Sequence, residues 1–296
     1  MDDLFNLDLT LRLLGLDFVQ NALLAAAVLG VVAGALGPLI VMRRMAFAVH
    51  GTAELAFTGA AAALLLGVSV EFGALAGAVV AALLLALLGG KESERDSVIG
   101  AVLAFGLGVG VLLLWLHPSR AQNKFGLLVG QVVTVDSANL VVFVVAGAVV
   151  LGVLAVVYRP LLFASVDPVV AAARGVPMGL VTPVFAVLLG IATALGVQTV
   201  GVLLVIALLV TPAAAACRVT SSPVLATVLS VIFAEVAVLG GMVLSLAPGA
   251  PVSAFVTSIA FAIYLVCRVI EHRRLAATRT SRRVTQPTGA AAAAPR

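Results

Sequence analysis

Nine stretches of this chain stay apolar from one polar border to the next, at about 19–42, 47–67, 71–89, 98–116, 138–158, 179–196, 199–217, 223–246 and 252–270. Each is near the roughly 20 residues that an α-helix needs to cross a bilayer. Their apolar positions are continuous, without the period of two that a transmembrane β-strand shows. The pattern predicts an all-α polytopic membrane protein with eight or nine transmembrane helices. Residues 1–18 form a short segment before the first span, and 19–270 form the membrane domain. Residues 271–296 are a basic tail ending in TQPTGAAAAAPR, which has no core-forming residues and is expected to be disordered. The sixth and seventh spans are joined only by GVQT, so they are either tightly linked or partly re-entrant.

Two connections between spans are long. The one at 117–137 is partly apolar and is expected to hold a short helix at the surface. The one at 158–179 reads as a structured element. Asp167 followed by Pro168 is an N-cap with proline at the first helical position. VVAAA continues as helix, and Gly175 then Pro177 end it. A short helix in this place either docks on a partner or rests on the bilayer as a connector.

Composition confirms the solvent. Hydrophobic residues make up 63% of the chain and charged residues 10%, whereas a soluble domain is about a quarter charged. Mean hydropathy is +1.26. A secretory leader followed by a secreted domain is excluded, because the apolar runs persist to about residue 270. Abundant Gly and Ala with few aromatics suit helices that pack closely in lipid. Cys217 and Cys267 are far apart and lack a CxxC pattern, so they read as small buried residues rather than a disulfide.

Charge placement sets the orientation. With the C-terminus inside, fourteen of the seventeen basic residues face the cytoplasm, from Arg43 and Arg44 to the arginines of the tail. Only Arg12, Arg120 and Lys124 fall outside. That is the positive-inside asymmetry, and it puts the N-terminus, with Asp2, Asp3 and Asp8, outside. The sequence pI near 9.7 is therefore a topology signal and not a nucleic-acid footprint.

Catalytic machinery is missing from the sequence. No GxxxxGK[ST] nucleotide loop and no HExxH occur, and Ser, His and Asp do not cluster. Three ionisable residues fall inside predicted spans: His50, Glu54 and Glu235. Such a group costs at least a few kcal/mol in a bilayer core, so it normally faces protein interior or a watery path. His50 and Glu54 are four apart and share a helix face. An imidazole and a carboxylate suit a borderline divalent ion such as zinc or manganese. They equally suit a hydrogen-bonded pair that stitches two helices. Glu235 reads as a third ligand, a proton-linked group or a packing clamp. Glu71 lies at the outer membrane edge and reads as solvated, and His117 and His272 lie in loops.

Several stretches resemble the permease subunit of bacterial zinc/manganese ABC importers, the metal-ion relatives of the iron-siderophore and vitamin B12 permeases. RRMAF at 43–47 is similar to the family's arginine pair and Met after the first span. GVQTVGVLLVIALLVTPAAAA at 196–216 is the most specific match, to V-G-x-L-L-V-x-A-L-L-x-x-P-A-A-x-A. YRPLLFASVDPVVAAARGV at 158–176 resembles the loop Y-x-P-L-x-x-x-x-x-D-x-x-x-A-x-x-x-G-V. GGMVLSLAPGAPVSAF at 240–255 resembles the G-L-x-L-S-Y stretch and the turn before the last helix. Two departures stand out. Where the family reads G-D-x-x-x-H-A, this chain has Val49, His50 and then Glu54, so the ligand types are kept and their order is reversed. PVSAF replaces a P-S-G-P turn.

The resemblance implies a bundle like that of a type II ABC importer permease in the bacterial plasma membrane. It implies a second permease copy, most simply a homodimer, with the pore between the two. An external metal-binding lipoprotein would deliver the ion. A separate ATPase would bind ATP and seat on the short helix at Asp167, Val169, Ala171, Arg174 and Gly175. The chain would be no enzyme and would bind no cofactor of its own. His50 and Glu54, with Glu235, would meet the transported ion in passing. An iron or metal-chelate permease of the same fold is the nearest alternative. A proton-coupled secondary carrier is a further one, though no inverted repeat relates the two halves.

Overall fold

The computed structural model describes residues 7–88, 92–117, 137–202 and 205–284. Among them the chain is helical almost throughout. The helices are α1 (Leu7–Leu14), α2 (Asp17–Met42), α3 (Ala46–Leu66), α4 (Val70–Leu88) and α5 (Glu92–Leu116). They continue with α6 (Ser137–Val166), α7 (Pro168–Ala173), α8 (Met178–Val200), α9 (Val205–Val219), α10 (Pro223–Leu246) and α11 (Val252–Val284). Seven of these are long and apolar enough to cross a membrane, and the shorter apolar stretches Val70–Leu85 and Val205–Val219 account for the other two expected spans. The expected surface helix at 117–137 falls almost entirely outside the described residues.

Three spans form the centre of the bundle: α2, α3 and α8 are each buried over most of their length, whereas α5, α6, α10 and α11 are not. The central helices reach that burial with small residues. Ala25, Ala26 and Ala33 of α2 are fully buried. At Gly34 of α2 a side-chain carbon would run into the backbone of Val231, so α2 and α10 touch main chain to main chain. Helix α3 packs on α4, α5 and α8, and α8 also meets α4 and α6. The outer helices turn Phe105, Val141, Val156, Val236 and Phe261 outward. Lipid accepts such a surface, and water would not.

The link between the sixth and seventh spans is described except at residues 203 and 204. Helix α8 runs past the expected border to Val200, and Gly201 breaks the helix at φ 83. Helix α9 then spans only 15 residues, about 22 Å at 1.5 Å per residue, short of a hydrocarbon core of about 30 Å.

The expected border at 270 also moves. Helix α11 continues to Val284, so the first part of the presumed tail is ordered helix. Hydropathy marks where the apolar surface stops, not where the backbone hydrogen bonds stop. Two contacts tie the start of this extension to α9, and a third, from Arg218 to Tyr264, braces the turns before it. Arg218 at the end of α9 donates to Glu271 Oε2 at 2.6 Å and to the Tyr264 hydroxyl at 2.8 Å. Arg274 donates to the Val219 carbonyl at 2.8 Å, satisfying an end group of α9. Residues 285–296 lie outside the described residues.

Candidate functional site

His50 lies about one turn into α3 and Glu54 one turn further. His50 Nε2 is 3.9 Å from Glu54 Oε1, too far for a hydrogen bond. Glu54 is buried, with a side chain 3% exposed, and the imidazole is 28% exposed. His50 Nδ1 and Glu54 Oε2 are buried and have no hydrogen-bond partner. Native structures rarely leave such atoms unmet, and each instance asks for an explanation.

The neighbouring helices clamp α3 without satisfying the pair. On one side the buried Thr52 and Thr193 hydroxyls lie 3.2 Å apart and tie α3 to α8. On the other, Thr58 Oγ1 lies 2.8 Å from the Glu54 carbonyl and 2.6 Å from the Gly106 carbonyl of α5. A side-chain carbon at Gly106 would sit 3.2 Å from Glu54 Cβ. Glycine there lets α5 close over Glu54. Sequence reading missed Thr52, Thr58, Thr193 and Gly106. Thr52, between the ionisable pair, and Thr58, one turn beyond it, are visible as polar positions in an apolar helix, whereas no local signal marks Thr193 or Gly106.

Glu235 is placed elsewhere. It stands on α10, which packs on α2, α9 and α11. Its Oε1 fits into the space left by Gly30 of α2, where a side-chain carbon would come within 2.6 Å of it. That oxygen too has no partner. Among the described residues no three of His, Cys, Asp and Glu converge on a metal position. Within one chain, then, the structure brings His50 and Glu54 together and does not bring Glu235 to them.

The short helix at 168–173 forms as its caps dictate. Asp167 Oδ1 accepts from the Val169 and Val170 amides at 3.0 and 2.9 Å. Pro168 occupies the first turn. At the other end the Val176 amide reaches back to the Ala171 carbonyl and the Gly175 amide to that of Ala172, each at 3.0 Å. This C-terminal cap requires Gly175 at φ 84, where a Cβ would be strained. Val169, Arg174 and Gly175 are exposed. Ala171, expected among the outward contacts, is instead fully buried. In a six-residue helix it lies nearly opposite Val169, so it seats α7 on α6 and leaves Val169, Val170 and Arg174 facing out.

Comparison with known proteins gives this arrangement a family. Residues 15–271 match the model of the ABC 3 transport family. The chain belongs to the ABC 3 transport family. Membership makes it a multi-pass membrane permease of a transport system rather than an enzyme. It is 30% identical over 235 residues to the manganese transport system membrane protein MntC of Halalkalibacterium halodurans, covering 79% of this chain and 80% of that one. It is 32% identical over 200 residues to the manganese import system permease protein ScaB of Streptococcus parasanguinis, covering 67% and 71%. Among solved structures it resembles PsaBC from Streptococcus pneumoniae in complex with Fab. The TM-score there is 0.79 at 27% identity, over 88% of this chain and 94% of that one. This ABC 3 fold is the helical bundle that hydropathy predicts.

Proposed function

We propose that this ABC 3 permease conducts a divalent metal ion, manganese first and zinc as the competing cargo, into the cell at the expense of ATP hydrolysed by a separate subunit. The orphaned atoms of His50 and Glu54 carry the reading: a buried imidazole nitrogen and carboxylate oxygen, one turn apart, have no protein partner and await a cation. Two protein ligands make a weak site. Weakness is an advantage in a conduit, where entry must be favourable and exit easy. The partly exposed imidazole is the side from which an ion approaches. Relatives named for manganese support that metal, and the donor set suits zinc as well.

In this reading the N-terminus is outside and the C-terminus cytoplasmic. An external binding protein delivers the ion, and a second copy of the chain completes the pore. The ATPase grips the exposed face of α7 at Val169, Val170 and Arg174, with the Asp167 and Gly175 caps keeping that helix formed under load. The test is ATP-dependent accumulation of radiolabelled manganese in cells carrying His50→Ala with Glu54→Ala. Uptake should fall to that of membranes lacking the permease, with the variant present at wild-type amounts. Wild-type uptake would leave the pair a purely structural role.

A further inference from the structure

We propose that Arg43 is the positioning residue that carries movement of α7 to the His50–Glu54 pair. This rests on the reading of α7 as the seat of the ATPase. The side chain stands at the cytoplasmic end of α2 and holds both helices that flank α7. Its Nε donates to Ser165 Oγ at 2.7 Å, and its Nη2 to the Leu161 carbonyl at 3.4 Å. Ser165 and Leu161 belong to the last turns of α6, directly before α7. Ser165 itself donates to the Leu161 carbonyl at 2.6 Å, so its lone pair is turned to Arg43. The guanidinium also lies 4.8 Å over the ring of Phe185 in α8, the helix after α7. That is within cation–π range, and the ring is fully buried.

On its other side Arg43 is joined to α3 by a turn with little slack. The Arg44 amide bonds to the Val41 carbonyl at 3.1 Å and the Met45 amide to that of Ile40 at 2.9 Å, closing α2. Arg44 takes φ 54, a left-handed turn usually given to glycine. A side chain there narrows the backbone swing that glycine would permit. Met45 is buried, and α3 starts at Ala46. His50 follows about 6 Å along the helix axis. A shift of α6 and α8 under load from α7 therefore reaches the ion-binding turn through one forked side chain and a two-residue turn. An arginine serving only to anchor α2 at the membrane surface would need neither the α6 nor the α8 contact.

The experiment uses the whole transporter, this chain with its ATPase and binding protein, in proteoliposomes. It measures bound ATPase, ATP hydrolysed and manganese taken up. In Arg43→Ala, ATPase binding and hydrolysis should stay within about twofold of wild type while manganese per ATP falls about tenfold, inside the usual range of site-to-site coupling. Arg43→Lys keeps the charge but loses the fork, and should fall between. Ser165→Ala should show the smallest loss. Wild-type manganese per ATP in Arg43→Ala overturns the proposal. So does loss of ATPase binding in step with uptake, which would make Arg43 a support for α7 alone. Where Arg43→Ala does not reach the membrane, Arg43→Lys and Ser165→Ala decide, and wild-type ratios in both overturn it. Separately, undiminished ATPase binding by Asp167→Ala with Gly175→Ala would remove the reading of α7 beneath it.

Discussion

Glu54 and Glu235 are both carboxylates on membrane-spanning helices, and each keeps one buried oxygen without a hydrogen-bond partner. Their surroundings differ. Glu54 has an imidazole one turn away whose own Nδ1 is also unmet, and threonine bridges lock its helix on two sides. Glu235 instead lies against Gly30 and the Val31 backbone of α2, and among the described residues it joins no group of three His, Cys, Asp or Glu. The contrast teaches that an acid inside a membrane is not in itself a site. In the reading proposed above a second donor on a fixed helix face makes it one, because a cation needs several oxygens or nitrogens at once to replace its water. Without that donor, the space beside a glycine is enough to accommodate a carboxylate.

The sharpest way to break the comparison is to neutralise each acid without changing its shape. Glu54→Gln should lower manganese uptake by at least about tenfold, the effect of losing roughly 1.4 kcal/mol of ion stabilisation. Glu235→Gln should leave uptake within about twofold, on the same energetic scale. Both are read from initial rates at limiting manganese. Equal losses would place the two carboxylates on one path, across the interface of two copies if not within one chain.

A smaller effect is expected when the two ligands trade places. His50→Glu with Glu54→His keeps both donor types on the same face and approximates the acid-then-histidine order of the wider family. Uptake should stay within about threefold of wild type, because one face of one helix presents the same imidazole and carboxylate. Either single substitution should be far worse. A dead double variant would show that Gly106 and Thr58 shape the space around position 54 for a carboxylate alone.

How far the sequence foretells this molecule depends on the range of the interaction in question. The spans are legible because lipid imposes a length and a composition on each helix by itself. The caps of α7 are legible for the same reason: Asp167, Pro168 and Gly175 act on amides and carbonyls within four residues. The inward seat of Ala171 is less so, since it needs α6 as a surface. The niche of Glu235 is not legible at all, because Gly30, which makes room for it, lies about two hundred residues away in α2 and nothing local marks that pairing. The extension of α11 past residue 270 is hidden likewise, behind contacts from Glu271 and Arg274 to the end of α9. Arg43 was visible as half of a motif, but its reach to Ser165 and Phe185 was not.

The smallest effect tests the niche of Glu235 itself. A side-chain carbon at Gly30 would approach Glu235 Oε1 to 2.6 Å and Val238 Cγ1 to 3.1 Å. The carboxylate is the end of a flexible chain and can swing away, so Gly30→Ala should cost only about 1 kcal/mol, at the low end of overpacking. Glu235→Ala empties the niche. If the niche belongs to this carboxylate, Gly30→Ala should be nearly neutral in a Glu235→Ala background, giving a coupling of about 1 kcal/mol in a double-mutant cycle of unfolding in detergent. At Gly106 the outcome should be the opposite. There the obstacle is Glu54 Cβ at 3.2 Å and backbone close behind, which cannot swing. The penalty of Gly106→Ala should therefore persist when position 54 is alanine, and an equal rescue at both sites would erase the distinction between a fixed ligand and a lodged one.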